Sequence, residues 1–144
     1  MTYRNIILIS LAALMLWSGL QFYVTYRDLS YMPWFPTWLT HLTFSLPLYN
    51  LPPAIWNAFP TFAHGIASTF LLATSLRVSI AASLAGAANA VWEWHQRFSP
   101  DDLPAAVIAA LTAYFCISFI DRFLLPKLGS WLGRKHERLE ASLG

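Results

Sequence analysis

The side chains best suited to chemistry in this 144-residue chain lie between positions 64 and 102. His64 sits in Phe62-Ala63-His64-Gly65. Asn89 and Glu93 are four residues apart, the spacing that puts two side chains on one face of a helix. His95, Gln96 and Arg97 follow at once, then Ser99-Pro100-Asp101-Asp102. Carboxylates, a histidine and an arginine around one apolar groove could hold a phosphate or sugar head group, or relay a proton. Each member also has a plainer reading. Asp101 or Asp102 suits the N-cap of a helix that tolerates Pro104 in its first turn. Arg97 can pair with Glu93 or with an aspartate of the same loop, and His64 can be an interhelical hydrogen bonder. An ionisable group at the edge of a membrane helix is costly to desolvate, so the set stands as a candidate polar site: His64, Glu93, Gln96, Arg97, Asp101 and Asp102.

The elements that must position these groups are membrane spans. Hydrophobic residues make up 57% of the chain and charged residues 11%, against about 25% charged in an ordinary soluble domain. Mean hydropathy is +0.49. So short a chain has too little interior to bury that apolar surplus in water, and lipid is the alternative. Four segments have spanning character: 6–24, 58–76, 78–94 and 103–125. Pro126 is expected to stop the last one, because proline lacks the amide donor and clashes with the preceding turn. The first segment lacks an Ala-x-Ala site and reads as a retained anchor rather than a signal peptide.

Orientation follows from the basic residues. Arg4, Arg77, Arg122, Lys127, Arg134, Lys135 and Arg138 fall on one side, while the other keeps Arg27 and Arg97, a split of seven to two. The expected topology has both termini in the cytoplasm. Trp34, Trp38, Trp56, Trp92 and Trp94 then lie at the outer boundary, where an amphipathic ring is favoured. The connection 25–57 is too apolar for a free loop and is expected to lie along the outer surface, broken by Pro33, Pro36, Pro47, Pro52 and Pro53. The tail 126–144 places Leu128, Trp131, Leu132 and Leu139 on one rough helical face among basic residues, which suits an interfacial helix on an anionic leaflet. The third segment carries small residues in stripes, Ala82, Gly86 and Ala90 on one and Ser79, Ser83 and Ala87 on the next. Small stripes let membrane helices approach closely, so this segment is expected to be central. The fold class is therefore all-α: a polytopic membrane protein of four transmembrane helices, N-in and C-in, with an aromatic outer segment and a basic tail helix, all in one domain.

Glu93-x-x-Gln96 at the end of a span, Arg97 close by and Asp102 opening the next helix resemble the pattern of VanZ-like membrane proteins. Phe59-Pro60-x-x-Ala63-His64 and Phe98-x-x-x-Asp102-Leu103 add to the resemblance, which covers the second to fourth segments. The chain continues with Pro104-Ala105-Ala106, where that family usually carries Asn and Gly. The resemblance implies that His64, Glu93, Gln96, Arg97 and Asp102 take the family's polar positions. It implies a link to resistance towards glycopeptide antibiotics such as teicoplanin at the outer face, and no defined reaction.

Other chemistries fit poorly. There is no Gly-rich phosphate loop, no His-Glu-x-x-His and no Cys/His zinc spacing, and Cys116 is the only cysteine. No metal and no cofactor are expected, with haem or pigment ligation through His64 as the alternative. The basic residues belong to a membrane-adjacent tail, so no nucleic-acid partner is expected. The expectation is a multi-pass protein of the bacterial inner membrane that binds envelope lipid or glycolipid in an outer polar groove, leaning away from an enzyme. The alternative is a non-catalytic accessory subunit of a larger bioenergetic or photosynthetic complex, with Trp34, Trp38, Trp56, Trp92, Trp94, Ala82, Gly86 and Ala90 as anchors and interface. A small transporter ranks third.

Overall fold

A computed structural model describes residues 2–26, 52–95, 102–131 and 134. They are helical apart from short connections: α1 (Tyr3–Tyr26), α2 (Pro53–Leu72), α3 (Val78–His95) and α4 (Asp102–Phe119). A π turn, Ile120–Leu124, continues α4, and helix resumes through Trp131. Two helical stretches are long and apolar enough to cross a membrane, Tyr3–Phe22 and Asp102–Trp131; Ala58–Leu72 is a shorter apolar stretch. At 1.5 Å per residue, the 18 residues of α3 span roughly 27 Å, close to the thickness of a hydrocarbon core.

Several boundaries move from the sequence expectation. The second helix begins at Pro53 rather than 58, because proline at the first helical position gives up no intrahelical bond and its φ is already helical. It runs through Pro60 and ends at Leu72, not 76. Residues 73–76 turn the chain instead, with Thr74 N–H donating to Leu71 O (3.2 Å) and the Thr74 hydroxyl to the same carbonyl (2.7 Å). The segment 25–57 accordingly loses both ends to helices, and residues 27–51, with Trp34 and Trp38, lie outside the described residues. Pro126 does not stop the last helix. The π turn ahead of it widens the backbone, with Leu125 N–H reaching Ile120 O five residues back, and this extra room accommodates the ring that would otherwise clash with the preceding turn.

The interior is small and the exterior large. Among the described residues, ten of the fifteen buried apolar side chains are alanine, including Ala12, Ala63, Ala67, Ala85 and Ala109. The outward face of α4 carries Val107, Ile108, Leu111, Phe115, Phe119 and Phe123, all more than half exposed. Water would favour the reverse. A lipid-facing bundle has this arrangement, because small residues let backbones approach while large apolar ones meet acyl chains. Three glycines mark the close approaches. A methyl at Gly65 would lie 2.8 Å from the Ala109 methyl of α4, at Gly19 3.1 Å from that of Ala63, and at Gly86 3.3 Å from that of Ala110.

On α3 the residues turned inward are Ala81, Ala85 and Asn89. The expected stripe of Ala82, Gly86 and Ala90 is half-buried on its flank, and Ser79, Ser83 and Ala87 are exposed. The four-residue spacing of small residues is real, but it repeats on three adjacent rows, so composition alone did not choose the row. Asn89 decides it: a polar side chain in a helix of this kind turns towards hydrogen-bonding partners. The central helix is α2, which packs against α1, α3 and α4.

Candidate functional site

Two polar assemblies occupy opposite ends of the bundle. At the first, α2 and α3 run antiparallel, so residues rising along one meet residues falling along the other. His64 and Thr61 are about one turn apart on α2, and Asn89 and Glu93 one turn apart on α3. The pairs match: His64 Nδ1 lies 2.8 Å from Asn89 Oδ1, and the Thr61 hydroxyl donates to Glu93 Oε1 at 2.9 Å. The amide of Asn89 also donates through Nδ2 to Ala85 O at 2.8 Å. Asn89 is 3% exposed, whereas His64 is exposed and Glu93 half-buried. Gly65, next to His64, makes room for α4 rather than for Asn89: a methyl there would stand 2.8 Å from the Ala109 methyl but at an ordinary 3.5 Å from Asn89 Nδ2.

Asp102 begins α4 at the same end and is 6% exposed. The first turn of a helix leaves backbone N–H groups without intrahelical partners and carries positive partial charge, so a carboxylate there is stabilised despite burial. Asp102 precedes Ala109, the contact of Gly65, by seven residues, or about 10 Å along the axis. It therefore sits above the His64 level and near that of Glu93. Of the expected polar site, the structure thus brings His64, Glu93 and Asp102 to one end. Gln96, Arg97 and Asp101 lie outside the described residues. Trp92 and Trp94 are exposed at this end of α3, and Trp56 falls in the second turn of α2. Sequence reasoning named Asn89 only as sharing a face with Glu93. Its bond to His64 follows only once α2 is known to lie beside α3.

The second assembly was missed. Arg4 Nε donates to Asp121 Oδ1 at 2.8 Å, and an Arg4 terminal nitrogen to Oδ2 at 3.2 Å, a two-pronged ion pair between α1 and the π turn. The other terminal nitrogen of Arg4 donates to Ala73 O at 2.7 Å. That carbonyl belongs to the C-terminal cap of α2, where acceptors lack intrahelical partners and negative partial charge collects. One guanidinium thereby ties together the start of α1, the end of α2 and the π turn that continues α4. The signal was present in the sequence: Asp121 is an acidic residue inside an apolar helix, and such a group needs a partner. Arg77, Arg122, Lys127 and Arg134 surround this end and are exposed. Cys116, midway along α4, is exposed on its outer side.

No family model, no curated protein and no solved structure matches the chain.

Proposed function

We propose that the protein is a VanZ-like, four-pass protein of the bacterial inner membrane, with both termini in the cytoplasm, that binds an envelope lipid or glycolipid head group at the end formed by His64, Glu93 and Asp102. The observation that carries this reading is the gathering of those three groups at one end of a bundle whose shaft is apolar outside and alanine-rich inside. The orientation is supported by the opposite end, where Arg77, Arg122, Lys127 and Arg134 are exposed, as cytoplasmic loops are. No bond-breaking step is assigned to the site. The test is native mass spectrometry of the full chain released from nanodiscs doped with a glucosyl diacylglycerol. Stoichiometric retention that falls in a Glu93→Gln, Asp102→Asn double variant is the expected result. Equal retention by the double variant and the parent would overturn the reading.

A second reading, an accessory subunit of a larger membrane complex, draws on the outer face of α4. Phe115, Phe119 and Phe123 form an exposed row at four-residue spacing, and Phe119 stacks on Phe123 with centroids 5.4 Å apart. Aromatic rows suit lipid and protein neighbours alike. Mild-detergent extraction of the native membrane separates the two: co-migration with a large complex favours the subunit, and a small lipid-bearing particle favours the site protein.

A further inference from the structure

The bond between His64 and Asn89 fixes a property of the histidine that neither residue would have alone. The Asn89 amide nitrogen donates to Ala85 O, and a carbonyl can only accept, so the orientation of the amide is set. Its oxygen, Oδ1, therefore faces His64 Nδ1 at 2.8 Å. Oδ1 can only accept as well, so the proton of that bond sits on Nδ1. In a neutral imidazole one nitrogen donates and the other accepts, which leaves the lone pair on Nε2. His64 is exposed, and among the described residues its only hydrogen bond is the one through Nδ1. Asn89 is held by burial and by its helix, so the imidazole cannot readily exchange tautomers by turning its partner around.

We propose that Asn89 is a positioning residue that locks His64 as the Nδ1–H tautomer, and that Nε2 with the Glu93 carboxylate forms an acceptor pair for a hydroxyl-rich lipid head group. The pair follows from the cross-matching of the two helices: Glu93 stands one turn beyond Asn89 on α3, as Thr61 stands about one turn from His64 on α2. Thr61 satisfies one lone pair of Oε1, while a carboxylate has about four acceptor sites across its two oxygens. Both groups accept hydrogen bonds, and the further described acidic group at this end, Asp102, accepts too. Acceptors in a row recognise donors. A sugar offers several hydroxyl donors, whereas a phosphodiester group itself offers none and would be repelled by the carboxylates. Phosphate chemistry is served by the opposite end, with its exposed Arg77, Arg122, Lys127 and Arg134. The inference rests on the head-group reading above and narrows it to donor-bearing sugars.

The experiment is nitrogen NMR of the full chain with 15N-labelled histidine, with His64 assigned by difference from His64→Phe. Measurements are made in phosphatidylcholine nanodiscs, then in nanodiscs doped with glucosyl diacylglycerol or with phosphatidylmethanol, an anionic phosphodiester lipid without hydroxyls. The expected spectrum has a protonated Nδ1 and an unprotonated Nε2, and Asn89→Leu converts it to a tautomer mixture. Glucosyl lipid moves the Nε2 resonance to lower shift, as a hydrogen bond to the lone pair does, and phosphatidylmethanol leaves it in place. His64→Phe and Glu93→Gln each weaken glucosyl-lipid retention about 5- to 10-fold, the loss expected for one hydrogen bond, and Asn89→Leu weakens it by a smaller factor. A protonated Nε2 in the parent protein overturns the inference even if the glucosyl lipid is retained, which leaves the head-group reading standing. An Nε2 signal that ignores the glucosyl lipid while the lipid is retained overturns the ligand half. No retention at all fails the broader reading instead.

Discussion

At the Arg4 end of the bundle the ion pair with Asp121 spends its donors on partners inside a ring of exposed cations, while at the His64 end each polar pair leaves something over. Arg4 spends both prongs on Asp121 and its remaining terminal nitrogen on Ala73 O. His64 and Asn89 also bond, but only through Nδ1; Thr61 and Glu93 bond, but only through Oε1, among the described residues. The difference teaches what separates a fastener from a site. The start of α1, the end of α2 and the π turn converge on one guanidinium, and its geometry is closed. Two helices cross-match at the other end, where His64 is exposed and Glu93 half-buried. A polar group in an apolar helix is costly in either place, so cost alone does not separate the two ends; on the head-group reading proposed above, the unspent hydrogen-bonding capacity of His64 and Glu93 does.

The largest effect should come from opening the fastener. Arg4→Leu leaves Asp121 charged beside the helix ends, and Asp121→Leu leaves Arg4 so. The ion-pair side chains are 26% and 33% exposed, which places the loss between that of a surface pair and a fully buried one, about 2 kcal/mol. Removing both partners should cost less than the sum of the two single changes, because neither charge is then stranded. Denaturation in mild detergent measures the cycle. Strict additivity would mean that Arg4 and Asp121 do not act as a pair.

Next is the packing that lets the open end form. Gly65→Ala drives a methyl to 2.8 Å from the Ala109 methyl, so α2 and α4 must separate, and the cost should be about 1–3 kcal/mol. Gly129→Ala is the internal control: a methyl there meets nothing within 4 Å, and the helical glycine gains from alanine. If both changes have the same sign, the close approach at Gly65 does not limit the bundle. Gly65→Ala should also disturb the His64 nitrogen spectrum, since α2 carries His64 and must shift, whereas Gly129→Ala should not.

These two sites show why part of the molecule was legible and part was not. Hydropathy located four helices because apolar runs of that length have few other uses. It misplaced the start of α2, since Pro52 and Pro53 look like breakers until one sees that a proline at the first helical position costs nothing. It misjudged Pro126, because the widened turn at Ile120–Leu124 has no signature in composition. His64, Glu93 and Asp102 could be placed at one end because polar residues near helix ends stand out against alanine and leucine. Asp121 stands out in the same way, but its partner lies 117 residues away, and a long-range pair cannot be read without knowing which helix ends meet. Asn89 fell between: its helix face was readable, its bond to His64 was not until the order of packing was known.

A smaller effect belongs to the open end itself. Thr61→Val removes the hydroxyl that donates to Glu93 and keeps the side-chain volume, so stability should fall by about 1 kcal/mol, the net worth of a hydrogen bond to a group with access to water. Its second consequence tells the ends apart. With Thr61 gone, Glu93 has more acceptor capacity to offer, so retention of a hydroxyl-bearing lipid should be kept or strengthened while the fold weakens. No such separation is possible at Arg4, where the same atoms hold the helices and take up the charge. A parallel fall in stability and retention would show that the Thr61–Glu93 contact is structural and that the site lies elsewhere.

The smallest expected effect is at the basic end and has the opposite chemical preference. Arg122→Gln removes one exposed cation beside Asp121 without touching the pair to Arg4. A basic residue near an anionic leaflet contributes up to about 1 kcal/mol, and less as salt screens it. Thermal stability in phosphatidylcholine should therefore be unchanged. The added stability conferred by phosphatidylglycerol should shrink slightly, by an amount that vanishes at high ionic strength. Glu93→Gln should show the reverse pattern, with the glucosyl-lipid response reduced and the phosphatidylglycerol response intact. If Arg122→Gln instead lowered the response to the neutral sugar lipid, charge and hydrogen-bond recognition would not be divided between the ends. The contrast between a closed basic end and an open acceptor end would then be only one of packing.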